Sequence, residues 1–458
     1  MMKDTKRSFW ADPVRCALET KPDMKGMLAL GAALMAVYAV LVLKFCAAME
    51  GVAVIAAVAV LCAAMLTAFA WRALRGEDTI VLLCAAALAM LAVGAHLAML
   101  DIKPGRYSKL LEPMLSDMWN YELVTAAAWE DDAWSGVYLL FCALLSRVEN
   151  FSWLYAVKLF DLLCQCLAAG AVACIAMKRG ATRYGAVAAM FAAVLAPTML
   201  MNAGLWAQCD ATFAMFALWG LALLMDDHPL AGCVLWGVAL ATKLQSAFLF
   251  PLLLVLFMKN RVQLRHMLAL PAAAFLSQIA IVLDGQGVMN MITRYAVQLE
   301  NARWGDVGLS DNMPGVYSLM NVASTREFSG MGLFLGIACA LLVVAALMKA
   351  NRPLDGDVLG LAALLLCCGL PLILPQMNAR SLYLAGMLAF AMAGNARRMV
   401  VAGVLEFISI CTYMLSIFGH TVLPMIPLCL MVIGCAALVL LELVEAMGLG
   451  KHEEARRA

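Results

Sequence analysis

The sequence predicts an all-α fold, a polytopic membrane bundle of about 14 helices, and three observations carry that reading. Hydrophobic residues make up 65% of the chain and charged residues 14%, against about 45–50% and about 25% in soluble domains. Apolar runs long enough to cross a hydrocarbon core recur from end to end of the 458 residues. Basic residues collect in alternate loops, as the positive-inside rule requires.

The apolar runs fall at 27–45, 51–71, 79–100, 153–177, 182–201, 205–225, 230–258, 267–283, 331–349, 357–374, 380–394, 398–418 and 423–446. The 230–258 stretch is too long for one ordinary span and carries Lys243 and Gln245 at its middle. It reads as two short helices meeting there. The first run follows Lys3, Lys6, Arg7, Arg15, Lys21 and Lys25 and lacks a small-residue cleavage site. It reads as a retained helix, not a removed signal peptide. With the N-terminus in the cytoplasm, the inner segments hold most of the 32 basic residues. Both termini then lie inside. The turn Asp226-Asp227-His228-Pro229 goes against this trend. Residues 134–147 are apolar but short, and are expected as an amphipathic helix on the outer face. The large external loops become 101–152 and 284–330. Residues 1–78 hold a cytoplasmic N-terminus and two added helices, 79–400 the main membrane domain, and 401–458 the C-terminal helices and a cytoplasmic tail.

Net charge is +1 and no basic block reaches a nucleic-acid footprint. Most of the 16 cysteines sit inside apolar runs, where the thiol behaves as a small hydrophobe. Cys164 and Cys166 fall on different faces of a helix, and the five histidines are scattered. No metal site and no cofactor is expected.

The informative residues are the polar ones that interrupt apolar sequence. NAGLWAQCD at 202–210 holds Asn202, Trp206, Gln208 and Asp210. These either cap two helix ends, with Asn202 as an N-cap, or line a pocket mouth with Trp206 as a stacking face for a sugar ring. Lys243 is costly in lipid unless it pairs with a carboxylate such as Asp210 or holds an anionic phosphate. Loop 101–152 interleaves carboxylates with aromatic residues, and Asp131-Asp132 is its densest acid pair. Lys158 and Asp161, three apart, suit an intramembrane ion pair. Glu406 is a lone acid in a late span. The outer ends of several spans thus share one polar depth, the pattern of a cavity.

These segments resemble one family. NAGLWAQCDATF, WGVALATKLQSAFLFPLLL at 236–254, DNMPGVY at 311–317 and LPQMNARSLYLAGML at 374–388 are similar to motifs of membrane-integral GT-C glycosyltransferases. The bacterial branch related to the GPI-anchor mannosyltransferase fits best. The resemblance covers about residues 79–400. It implies a polyprenyl-phosphate sugar as donor substrate and inverting transfer of a mannose- or glucose-like hexose. The acceptor would be a glycan, glycolipid or protein hydroxyl at the outer face of a bacterial plasma membrane. Arg106, Asn202, Trp206, Gln208, Asp210, Lys243, Gln245, Asn312 and Arg380 would bind substrate. The family's early Gly-Asp-Tyr is here Gly105-Arg106-Tyr107, and arginine is no base at neutral pH. The proton-accepting role is therefore expected of Asp131 or Asp132. His-Glu-Arg is here Asn378-Ala379-Arg380, with only the arginine kept. A catalytically silent relative that binds a lipid-linked sugar, or a lipid or sugar transporter or flippase, are the competing readings.

Overall fold

A backbone in lipid has to satisfy its hydrogen bonds within its own segment, so long runs of Ala, Leu, Val and Met form helices. The structure is a computed structural model that describes residues 22–77, 79–129, 136–304, 309–320 and 326–449, and it is almost wholly helical. Among the described residues, eight helices are long and apolar enough to cross a membrane: Gly26–Phe45, Val52–Ala73, Thr79–Leu97, Trp153–Lys178, Phe328–Met348, Gly356–Ile373, Ala396–Phe418 and Met425–Met447. Arg183–Leu195 and Pro197–Leu205 make a ninth if taken as one span bent by 45°. The bend falls at Pro197, which has no N–H to continue the helical ladder. The remaining apolar runs form shorter helices, Asp210–Met225, Pro229–Thr242, Leu244–Met258, Leu264–Leu276 and Tyr383–Met392. The chain is an integral membrane protein on this ground.

Helix Trp153–Lys178 is the axis of the bundle. It is the most enclosed of the long helices and packs against Val52–Ala73, Arg183–Leu195, Asp210–Met225 and Tyr383–Met392. Helices Pro229–Thr242 and Leu264–Leu276 approach so closely that a Cβ on Gly237 would collide with the Leu270 carbonyl. The break expected near Lys243 is present. Lys243 adopts an extended conformation between Pro229–Thr242 and a 3-10 turn, Leu244–Leu249.

Charged residues sort to the two ends of the bundle. At one end Lys178 pairs with Asp226, Arg261 Nη2 lies 2.6 Å from Asp227 Oδ1, and Arg398 binds Asp357 at 2.5 and 2.9 Å and Glu442 at 2.8 Å. The acidic turn that goes against the loop charge trend thus supplies partners for its basic neighbours. The polar residues singled out from the sequence gather at the other end.

Two expectations change. Helix Gly136–Leu145 spans ten residues, about 15 Å and too short to cross. It is more than a surface element, because it also packs into the bundle. Gly136, Val137, Tyr138, Leu139, Cys142 and Ala143 are buried, because the helix packs against Trp153–Lys178 and Pro229–Thr242. Lys158 and Asp161 do not pair. Lys158 Nζ donates to the carbonyls of Met99, Leu100 and Ile102 at 2.7, 3.2 and 2.6 Å, capping the end of Thr79–Leu97 and the turn beyond it. Three carbonyls just past the helix end draw the ammonium away from the carboxylate.

Candidate functional site

The site is built where helices break. Pro197–Leu200 passes into a π-turn, Met201–Leu205, and the chain unwinds through residues 206–209 before Asp210 starts the next helix. Ala207 sits in the left-handed region at φ 53°, a conformation that costs a non-glycine residue about 1 kcal/mol or more. Lys243 enters from the second break. Arg380 enters from the turn that follows Met377–Asn378. That two-residue strand runs parallel to Ser310–Asp311, pairing Asp311 with Asn378, and Asn312 bridges to Asn378 as well. The DNMPGVY and PQMNAR segments, 60-odd residues apart, are thereby stitched together.

Asp210 is the hub, with no exposed surface. Lys243 pairs with its Oδ1. Its Oδ2 accepts from Asn202 Nδ2 at 2.8 Å and from Arg380 Nη1 at 3.3 Å. The same Arg380 nitrogen donates to Gln208 Oε1 at 2.5 Å, and Asn202 Nδ2 also reaches the Tyr413 hydroxyl at 3.1 Å. The Arg380 guanidinium lies 5.3 Å from the centre of the Trp206 ring, which meets Tyr413 edge-on at 5.2 Å. Lys243 Nζ sits 5.0 Å from the centre of the Phe213 ring. Burying one carboxylate is tolerable here because two cations and an amide satisfy it.

Six of the nine residues expected to bind substrate therefore belong to one bonded network: Asn202, Trp206, Gln208, Asp210, Lys243 and Arg380. Gln245 stands next to it, its amide nitrogen donating to Ser381 Oγ at 2.8 Å. Asn312 is held in the adjoining strand pair, with Nδ2 3.4 Å from Ser416 Oγ. The network is closed where an open pocket was expected. Trp206 is 5% exposed, and its contacts with Arg380 and Tyr413 leave little of the ring free to stack on a sugar. Of the two partners weighed for Lys243, the carboxylate is the one it holds.

The open part of the site is a small cleft on the flank of this network, lined by Arg106, Tyr107, Leu111, Tyr138, Ala207, Gln208 and Cys209. Arg106 has no hydrogen bond or ion pair among the described residues. Burial first, and then the like charge of Arg380, hold its guanidinium below the ordinary arginine value, while Asp210 and Asp311 pull the other way. Tyr138 comes from the buried Gly136–Leu145 helix, so that helix is a wall of the cleft. Sequence reasoning left Tyr138 as one aromatic among many; its offset of seven from Asp131 carries no signal.

Asp131 and Asp132 lie outside the described residues. Of the other acids in the first loop, Asp101 accepts from the Tyr155 hydroxyl and Glu112 pairs with Lys103 at 2.7 Å. Glu406 is not isolated: its oxygens accept from the Thr198 backbone N–H at 2.8 Å and the Thr198 hydroxyl at 2.5 Å, capping Pro197–Leu200 from a neighbouring helix.

Comparison with protein-family models and with curated proteins finds no match for this chain.

Proposed function

We propose that the protein is a membrane glycosyltransferase that moves a hexose from a polyprenyl-phosphate sugar to an acceptor hydroxyl. The observation that supports this best is the unpaired, half-buried Arg106, which lines a small cleft together with Gln208, the partner of Arg380. A guanidinium without a counter-ion, in a cleft walled by Tyr107, Leu111 and Tyr138, suits a phosphate carried on an apolar chain. Lys243 and Arg380, already engaged by Asp210, then serve as a fixed positive field behind Arg106. They strengthen the hold on a leaving phosphate as the glycosidic bond breaks. The sequence resemblance in four separate segments points to the same class of donor.

In this reading the shorter apolar helices also cross the membrane, except Gly136–Leu145, which gives about 14 spans. The end carrying Lys178, Arg261 and Arg398 faces the cytoplasm of a bacterial cell, with both termini there, and the cleft opens outward. The hexose is mannose- or glucose-like, and Asp131 or Asp132 takes the acceptor proton.

The test is incubation of the purified protein with a panel of polyprenyl-phosphate sugars, following thermal stabilisation and sugar transfer. Transfer from one donor supports the proposal. Stabilisation without transfer under any acceptor replaces it with a silent binding protein. Neither response to any donor sinks both.

A further inference from the structure

Asp161 is fully buried in helix Trp153–Lys178, and neither carboxylate oxygen has a hydrogen-bond partner. Its expected partner, Lys158, is spent on three carbonyls. A bond from Thr212 Oγ1 to Cys164 Sγ at 3.7 Å fixes this helix in register with Asp210–Met225. Asp161, one turn before Cys164, therefore stands level with the unwound segment that ends at Cys209.

Two other buried oxygens, on elements packed against this helix, are also unmatched. Asn202 uses its amide nitrogen on Asp210 and Tyr413 and leaves Oδ1 without a donor. The Tyr383 hydroxyl has no partner, and its helix, Tyr383–Met392, packs against Trp153–Lys178. Three of these four orphaned atoms are acceptors only. Buried acceptors without donors cost free energy that a native fold seldom leaves uncompensated. The surrounding charges select what compensates them. Lys243 and Arg380, the cations of the neighbouring network, are engaged by Asp210, and neither bonds to Asp161. One carboxylate is left without a partner, and the unmatched groups beside it are hard oxygens.

We propose that Asp161, Asn202 Oδ1 and the Tyr383 hydroxyl form a binding site for a small monovalent cation. A single positive charge matches a single unpaired carboxylate, and a divalent ion would leave an excess charge buried in the bundle. Irregular backbone next to the site, from the π-turn to Cys209, is of the kind tolerated at membrane depth where it lines a polar space. The site is independent of the donor reading and takes a different ligand.

The experiment uses the full chain purified in choline chloride and compares thermal unfolding in sodium, potassium and choline chloride at equal ionic strength. Sodium or potassium is expected to raise the melting temperature by several degrees over choline. Asp161→Asn should abolish the difference and Tyr383→Phe should reduce it. Equal melting in all three salts overturns the proposal, as does a difference that survives in Asp161→Asn. A melting temperature that follows pH but not the cation also overturns it and assigns Asp161 a proton and a bridging water instead. If Asp161→Asn does not fold, retention of tracer sodium or rubidium by the wild type decides. Displaceable tracer that weakens in Tyr383→Phe supports the site, and none above a choline-matched background removes it.

Discussion

Arg380 and Asp210, 170 residues apart, are joined by a 3.3 Å contact between Nη1 and Oδ2 inside the bundle. The contact ties the 374–381 segment to the start of helix Asp210–Met225, and Lys243 ties in a third segment through the other carboxylate oxygen. One carboxylate thus holds three helix breaks. Removing it leaves the half-buried Lys243 without its carboxylate and the buried Arg380 with Gln208 alone, whereas removing Lys243 still leaves Asp210 bonded to Arg380 and Asn202. Asp210→Ala should cost about 3–5 kcal/mol, the usual penalty for orphaning a buried charge. Lys243→Met should cost clearly less. Thermal unfolding in detergent measures both, and an Asp210→Ala protein as stable as wild type would remove Asp210 from the centre of the fold.

Arg106 has the opposite profile. It bonds to nothing described, so Arg106→Ala should change stability by no more than about 0.5 kcal/mol. Binding of a polyprenyl phosphate should nevertheless weaken by roughly 10- to 100-fold, the worth of a charged hydrogen bond. Arg106→Lys should recover only part of this, since an ammonium keeps the charge without the planar fork. Unchanged affinity in Arg106→Ala would leave the cleft without its anion ligand.

Much of the architecture was legible because lipid leaves a backbone few choices. The apolar runs lie on helices, the break at Lys243 falls where a lysine interrupts an overlong run, and the motif segments converge. What was not legible is how the polar groups share partners. Lys158 and Asp161 have ideal helical spacing, yet carbonyls of another segment claim the lysine. Trp206 reads as a stacking platform from its neighbours in sequence, but Arg380 arrives from 174 positions away to cover it. Residues 134–147 read as a surface helix because the run is apolar but too short to span. Only tertiary packing reveals that a wall of the bundle receives it.

Ala207 offers a test of the broken helix. Its φ of 53° is unstrained for glycine, and Ala207→Gly should stabilise the protein by up to about 1 kcal/mol if the turn is as described. A loss of stability of that size would mean that residue 207 is not left-handed in the membrane.

Glu406 tests whether a lone intramembrane acid works as a cap or as a proton carrier. Both its oxygens are held by Thr198. Glu406→Ala leaves the Thr198 N–H without a partner and should cost about 1–3 kcal/mol. Glu406→Gln keeps one acceptor and should cost less. Ligand binding and its pH dependence should be unaffected in both. A shifted pH dependence with normal stability would point to a proton relay.

The remaining question is the base. Asp131 and Asp132 precede Gly136 by five and four residues, and Tyr138 of that helix lines the cleft beside Arg106. Asp101 is engaged by Tyr155, and Asp117 is exposed to solvent on helix Glu112–Trp119. A carboxylate that accepts the acceptor's proton should lower kcat by roughly 10²-fold or more when replaced by its amide. Donor binding, the role proposed for Arg106, should stay intact. The comparison is Asp131→Asn and Asp132→Asn, singly and together, with Asp101→Asn and Asp117→Asn alongside. Loss of turnover with retained donor binding in the double variant assigns the base to this pair. Wild-type turnover there rejects it, and loss confined to Asp101→Asn or Asp117→Asn moves the role to that residue.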